Sequence, residues 1–345
     1  MMEISSYVDG ILGTLSELTA IHSPTGYTKD AADYVLHTLE QLGYAPEQTR
    51  KGGVLCCLGG PEGSEGLLLS AHVDTLGGMV AEVKANGRLR LASGGFANPN
   101  TEAENVTIIT REGKRYEGTY QLNNASIHVN KDYRTEKRDS TTMEVVIDEA
   151  VSSKESTLAL GIQPGDIVCF DPRTRVTASG YIKSRFLDDK LSAAILLGYA
   201  RYLKEEGVSL SRRVYLHFTV YEECGHGGSG SVPADVTEML AVDMGCVGEG
   251  LLCDERMVSI CARDSAGPYH YDMTTRLIQL AKENGLNYAV DVYPNYGSDA
   301  DAAVSAGNDL RHALIGPGVY ASHGYERSHR DGAENTFRLL CLYAV

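Results

Sequence analysis

The sequence predicts an α/β protein: a mostly parallel sheet sandwiched by helices, with a small β domain inserted at about residues 82–182. Three observations lead there. At both ends of the chain, helix-spaced apolar stripes alternate with short apolar strands, the pattern of a parallel sheet covered on both faces. Between about Glu82 and Ile182 that pattern gives way to short alternating segments separated by Gly, Asn and Asp, an all-β signature. The 345 residues, 43% hydrophobic and 22% charged, suffice for one large domain or two ordinary ones with a sizeable core.

"ISSYVDGILGTLSEL" spaces Ile4, Val8, Ile11, Leu12, Leu15 and Leu18 as a helix does. "HSPTGYTKDAADYVLHTLEQLGY" offers a turn, a threonine cap at Thr28, a stripe of Ala32, Val35, Leu36, Leu39 and Leu42, and Gly43 as a stop. In "LLLSAHVD" the continuous run Leu67 to Leu69 suits a strand buried on both faces. The β stretch follows as "VKANGRLRLASGG", "ENVTIITREGKRYEGTYQL", "NNASIHV", "TMEVVID", "GDIVCFDP" and "RTRVTASGYI". After "RFLDDK", "KLSAAILLGYARYLKEEG" reads as an amphipathic helix ending at Gly207. "RRVYLHFTV" and "MLAVDMG" are strands, "HYDMTTRLIQLAKENGL" a helix, "NYAVDVY" a strand and "SDADAAVSAG" a short helix. "HALIGPG" is the last strand and "AENTFRLLCLYAV" the closing helix. The economical organisation is one α/β domain built from residues 1–81 and 183–345, with 82–182 as the insert.

The formal net charge of −15 reads first as a solubility feature. It argues against a nucleic-acid partner, which would want a basic face, and against anionic membrane surfaces. No apolar run approaches the roughly 18–20 residues needed to cross a bilayer. The acidic, polar start "MMEISSYVDG" does not read as a secretory signal. The eight cysteines, Cys56, Cys57, Cys169, Cys224, Cys246, Cys253, Cys261 and Cys341, form no CxxC pair. They are expected to be reduced packing residues of a cytoplasmic protein.

In open α/β sheets, ligand sites gather beyond the carboxyl ends of the strands. His72 and Asp74 follow "LLLSA", and Asp188 and Asp189 follow the insert. Glu222 and Glu223 follow "LHFTV", Asp243 follows "MLAV", and His323 lies past "HALIGPG". Any one acidic residue at a strand end is usually a cap or a surface group; five such placements in one architecture point to a site. Carboxylates converging on one spot resist ionising together, and divalent cations remove that penalty. Two imidazoles with several carboxylates exceed the ligand needs of one tetrahedral zinc. They suit two ions about 3.5–4 Å apart. If a regular strand runs through Glu222 and Glu223, the two side chains point to opposite faces, so one binds metal and the other acts as base.

"AHVD", "LDDK", "VYEECG", "AVDMG" and "SHGYE" resemble the five metal-site motifs of the tetrahedral aminopeptidases, which include glutamyl aminopeptidases and belong to metallopeptidase clan MH. "IHSPTGYTKDAADYV", "LGIQPGDIVCF" and "YGSDA" extend the resemblance over nearly the whole chain. It implies a phosphorylase/hydrolase-like domain with an inserted β-barrel for oligomerisation. It implies two divalent ions per chain, zinc first, with cobalt or manganese as alternatives. His72, Asp188 and Asp243 would hold one ion. Asp188, Glu223 and His323 would hold the other, with Asp188 bridging. Glu222 would be the general base acting on a metal-bound water. Asp74 would accept the second N–H of His72. The implied activity is removal of N-terminal residues from peptides, and the implied assembly a homo-oligomer, from dimer to dodecamer.

Three positions depart from the family pattern: Thr75 where an acidic residue is common, Lys190 where arginine is usual, and "CGHGGSG" where the loop more often carries an arginine. These touch substrate preference, not the ligands. A carboxypeptidase, deacylase or amidohydrolase on the same scaffold would show the same ligands, and activity on free-amine against N-acylated substrates separates them. Relatives labelled cellulases would need chelator-insensitive activity. A shell protein without activity would not need Glu222. Asp189 is read as the partner of a lysine or arginine ahead of a metal role, and His226 as a loop residue. Cys224 is read as packing, and His22, His37, His128, His217, His270, His312 and His329 as core or surface residues. Two readings of "YGSDA" stay open: a lining of the substrate pocket, and a Gly-Ser-Asp helix cap that needs no ligand.

Overall fold

The computed structural model describes residues 4–345. The chain divides into two compact units, one running to Thr75 and resuming at Arg173, the other Leu76–Pro172. The boundaries expected at 81/82 and 182/183 fall within strands, Gly77–Val83 of the insert and Tyr181–Ser184 of the larger unit. Alternation alone carries no mark of which sheet a strand joins. That is why "RTRVTASGYI", read as part of the insert, is instead the hairpin Arg175–Val176/Tyr181–Ser184 on the larger sheet.

The larger unit has a 12-stranded sheet with a parallel centre. Val214–Thr219, Gly66–His72, Val236–Val242 and Arg311–Tyr320 lie side by side, all parallel. Antiparallel partners flank this centre: Val54–Gly59 on one side, Val258–Arg263 on the other. All seven residues of Gly66–His72 are buried, as the apolar run predicts. Side chains alternate across the strand. Leu67, Leu69 and Ala71 enter the core beneath helices Ile4–Ala20, Leu187–Glu205 and Arg330–Tyr343. Leu68 enters the opposite core with Met239, Ala241, Leu314 and, from helix Asp299–Ser305, Ala300 and Ala303.

Two local expectations fail. The helix Leu187–Glu205 is not amphipathic over its first half: every residue from Leu187 to Leu197 is buried. It packs on the sheet strand Gly66–His72 and also beneath the first and last helices, so it has no wet face there. Thr28 precedes the second helix, but its side chain makes no cap bond.

The insert is a closed barrel in the order Gly77–Val83, Leu89–Gly94, Met143–Ile147, Arg115–Leu122, Glu104–Ile109, Ile167–Phe170. "NNASIHV", expected as a strand, is a run of turns. The barrel interior is apolar. Phe170 packs edge-on to Phe96 and Tyr120, with centroids 4.8 and 5.6 Å away.

Candidate active site

Parallel strands bring their carboxyl ends to one edge of the sheet, and the chemistry collects there. His72 ends its strand, Asp243 directly follows Val236–Val242, and Asp188 opens the long helix. The strand Val214–Thr219 stops short of the two glutamates. Tyr221 turns the chain at φ +69°, and Glu222–Cys224 form a 3-10 turn. The opposite-faces rule for a strand therefore does not apply to Glu222 and Glu223; the turn separates them. Phe186 (φ +69°), Tyr221 and His323 (φ +61°) hold left-handed backbones next to or within the site. Such conformations cost roughly 1–3 kcal/mol and persist where the surroundings fix them.

The predicted ligands converge. His72, Asp188 and Asp243 offer ligand atoms within 4.8 Å of one another, and so do Asp188, Glu223 and His323. His72 Nε2 lies 3.0 Å from Asp188 Oδ1 and 3.8 Å from Glu222 Oε2. His323 Nε2 lies 3.5 Å from both Asp188 Oδ2 and Glu223 Oε2. His72 is fully buried, whereas the His323 side chain is 47% exposed, so the second group faces the opening.

Asp74 sits differently from its expected place. The second His72 N–H, on Nδ1, donates to the main-chain carbonyl of Asp74 at 2.8 Å. The Asp74 carboxylate, 3.6 Å from Nδ1 at its nearer oxygen, accepts the main-chain N–H groups of Glu222 (3.1 Å) and Glu223 (3.3 Å) and the Thr25 hydroxyl (2.8 Å). One residue thus fixes the imidazole tautomer with its backbone and the glutamate turn with its side chain.

The electrostatics are those of crowded like charges. Burial lifts Glu223 to about 8 and Asp243 to about 7, and the charge of Asp188 adds to both. Burial also pushes Glu222 well up, against the pull of His72. The hydrogen bond to Asp188 carries His323 up to about 9 despite burial. Burial would lower His72, but Asp188, Glu222, Asp243 and Asp74 outweigh it and hold it well above its ordinary value. Burial opposes ionisation of Asp188 too, yet the two imidazoles keep it below the usual carboxylate range. Glu223 Oε1 is buried without a hydrogen-bond partner. Three carboxylates, one of them with an orphaned oxygen, and two imidazoles form a donor set that fits divalent cations.

Sequence reasoning missed several supports. Glu326, buried, accepts the main-chain N–H of His323 at 3.0 Å and of Asp188 at 3.1 Å, joining two predicted ligands. Its place in "SHGYE" was the available signal. Asp189 accepts the His72 main-chain N–H at 3.2 Å rather than pairing with a basic side chain. Lys190, buried, donates to the carbonyls of Leu18 (2.9 Å) and Ile21 (2.6 Å). The "CGHGGSG" loop gains a physical reason: a Cβ on Gly228 would come 2.2 Å from the Asp299 carbonyl oxygen, so only glycine lets the loop sit on that helix. Lys51 donates to the carbonyls of His226 and Gly227, and the His226 ring stacks on Tyr221 at 5.2 Å. Cys224, read as a packing residue, is instead exposed as the last residue of the turn.

The profile of the M42 glutamyl aminopeptidases matches residues 52–339. The chain belongs to that family. It is a metallo-aminopeptidase, a hydrolase that acts at the amino end of peptides, and the family's divalent ions find candidate ligand groups here. The chain is 43% identical over 330 residues to YhfE of Bacillus subtilis (strain 168), named provisionally as an aminopeptidase, with 95% of both chains covered. It is 24% identical over 215 residues to the glutamyl aminopeptidase of Lactococcus lactis subsp. cremoris (strain MG1363), covering 61% of this chain and 59% of that one. The fold is that of the Pyrococcus horikoshii TET1 peptidase, which can assemble into a tetrahedron or a large octahedral shell. The TM-score is 0.85 at 22% identity, covering 97% of this chain and 99% of that one.

Proposed function

We propose that this family member works with two divalent ions per chain. His72, Asp188 and Asp243 would hold one, and Asp188, Glu223 and His323 the other. Zinc is the first candidate, with cobalt or manganese as alternatives. The observation that carries the reading is the pair of ligand groups sharing Asp188. When bound, such ions supply Lewis acidity and lower the pKa of water towards neutrality.

The remaining work falls to the chain's own side chains. Glu222 takes a proton from the attacking water and passes it to the leaving nitrogen as the peptide C–N bond breaks. Asp74 holds Glu222 in place through its main-chain N–H. His72 is buried and Glu222 half-buried, so neither offers much side-chain surface to bulk water. The substrates are peptides with a free amino end, and the insert is read as an oligomerisation domain building a homo-oligomer, from dimer to dodecamer. The shell-forming Pyrococcus horikoshii protein of the same fold supports this. None of the eight cysteines is in a disulfide, which supports a cytoplasmic site, and no described helix is long and apolar enough to cross a membrane.

The test is metal analysis with aminoacyl amide hydrolysis on wild type and Glu222→Gln. Wild type should bind two ions. The variant should keep both while turnover falls by about 10²–10⁴. A fully active variant would show that the base has been misassigned.

A further inference from the structure

The cavity at the candidate ligands has a volume of about 770 Å³. One helix supplies a continuous part of its wall. Ser298, Asp301, Ala302, Ser305 and Ala306, on or flanking Asp299–Ser305, all line it. Their spacing puts them on a single helical face. Four are small, and the fifth is a carboxylate. Among the described residues, no lysine or arginine lines the cavity.

Charge bookkeeping singles out Asp301. Asp188, Glu223, Asp243 and Glu222 carry four negative charges, which two divalent ions would balance. Asp301 is the remaining carboxylate of the wall. Its Oδ2 accepts the Ser298 main-chain N–H and hydroxyl, each at 3.0 Å, and the Tyr269 hydroxyl at 2.9 Å. Its Oδ1 faces His312 Nε2 at 3.5 Å, beyond an ordinary hydrogen bond. Burial would raise its pKa, but the facing His312 imidazole, followed by its contacts to Asp264, Tyr269 and Ser298, holds it down at about 2. Asp264, a second carboxyl behind Asp301, shares the Tyr269 hydroxyl at 2.7 Å, and burial together with its contact to Asp301 lifts it to about 6.

We propose that this helix face is the recess for the substrate's N-terminal side chain, and that Asp301 selects lysine and arginine there while turning away glutamate and aspartate. The inference rests on the two-ion aminopeptidase reading above. A long unbranched cation can lay its methylenes along Ala302 and Ala306 and bring its charge to the carboxylate. A glutamate would place a second negative charge beside Asp301, where no lysine or arginine among the described residues lines the recess to offset it. The preference therefore runs opposite to the one in the family's name.

The test uses p-nitroanilides of lysine, norleucine, glutamine and glutamate with the ion-loaded protein. Norleucine matches lysine in length without the charge, and glutamine matches glutamate. Wild type should favour lysine over norleucine, and glutamine over glutamate, by about tenfold or more in kcat/KM, the scale of one partly screened charge pair. Asp301→Asn keeps an oxygen for the Ser298 cap and should bring both ratios towards one. Inhibition by free L-lysine against L-norleucine, read on a common substrate, should change in parallel. Should Asp301→Asn fail to fold, the wild-type ratios and inhibition constants decide alone. Faster cleavage of the glutamate substrate than of the glutamine one overturns the proposal, as do wild-type ratios in a folded Asp301→Asn. If wild type cleaves none of the four, the aminopeptidase reading fails and this inference with it.

Discussion

The two units of this chain handle charge in opposite ways. In the insert, buried Glu144 is matched by Lys84 and Arg88 (Arg88 Nη1 lies 2.5 Å from Oε1), and the barrel interior is left to Phe96, Tyr120 and Phe170. In the larger unit, Asp188, Glu223, Asp243, Glu222 and Glu326 crowd one sheet edge, and the imidazoles of His72 and His323 lie among them. A unit that only needs to fold satisfies its charges internally. A unit that leaves like charges facing one another is built around something it binds.

The sharpest way to break this contrast is Asp188→Ala. Asp188 belongs to both ligand groups, so its loss should abolish binding of both ions and reduce activity to background. Metal content after dialysis against a metal-replete buffer measures it. Retention of two ions would mean that the ligand groups are wrong. The same substitution removes no contact within the barrel, whose thermal transition should not move.

Removing the ions should separate the units by pH. In the metal-free protein Glu223 rises from an ordinary 4.5 to about 8, Asp243 from 3.8 to about 7, and His323 from 6.5 to about 9. Over that window the folded state binds more protons than the unfolded one. By linkage, stability must then fall as pH rises from about 5 to 9. The ions need these groups deprotonated, so metal affinity should rise over the same range. The insert's Asp139 and Glu155 are shifted downwards by hydrogen bonds, away from this window. Calorimetry of the chelated protein at pH 6 and pH 9 should show one transition moving down and the other staying. A metal-free larger unit more stable at pH 9 than at pH 6 would contradict the charge crowding.

The sheet and the ligands were legible in the sequence for a common reason. The run Leu67 to Leu69 suits a doubly covered strand, and a parallel strand there delivers His72 to the edge where Asp243 also emerges. The supports were not legible because they use main-chain atoms. Nothing in the letters of Asp74 says that its carbonyl, not its carboxylate, takes the His72 proton. The turn at Tyr221 was likewise hidden: a tyrosine at φ +69° carries no sequence mark as a glycine would. The hairpin 175–184 was misassigned because alternation is the same in either sheet.

A smaller effect tests the insert's side of the contrast. Phe170→Ala empties the centre of the aromatic trio and should destabilise the barrel by about 3–5 kcal/mol. Chemical denaturation should show the barrel unfolding first. Ion stoichiometry should stay at two, because no predicted ligand lies in Leu76–Pro172. Loss of ions from this variant would show that the two units do not manage their charges independently.

The smallest effect concerns Glu326, whose two oxygens each accept a main-chain N–H, one from Asp188 and one from His323. Glutamine at this position keeps the shape but offers only one acceptor; its amide nitrogen would face an N–H donor. Either Asp188 or His323 then loses the bond that fixes its backbone, and His323 at φ +61° has no local preference to hold it there. Because a neighbour of this kind orients ligands without touching the ion, Glu326→Gln should weaken binding of the ion shared by Asp188 and His323 by about 10–100-fold. The far-ultraviolet spectrum should be unchanged. Competition with a coloured chelator measures the loss, and the ion at His72, Asp188 and Asp243 should be the better retained of the two, since Asp243 and His72 make no contact with Glu326 among the described bonds. Two ions bound at wild-type affinity would reduce Glu326 to a structural residue and leave Asp188 and His323 positioned by their own turns.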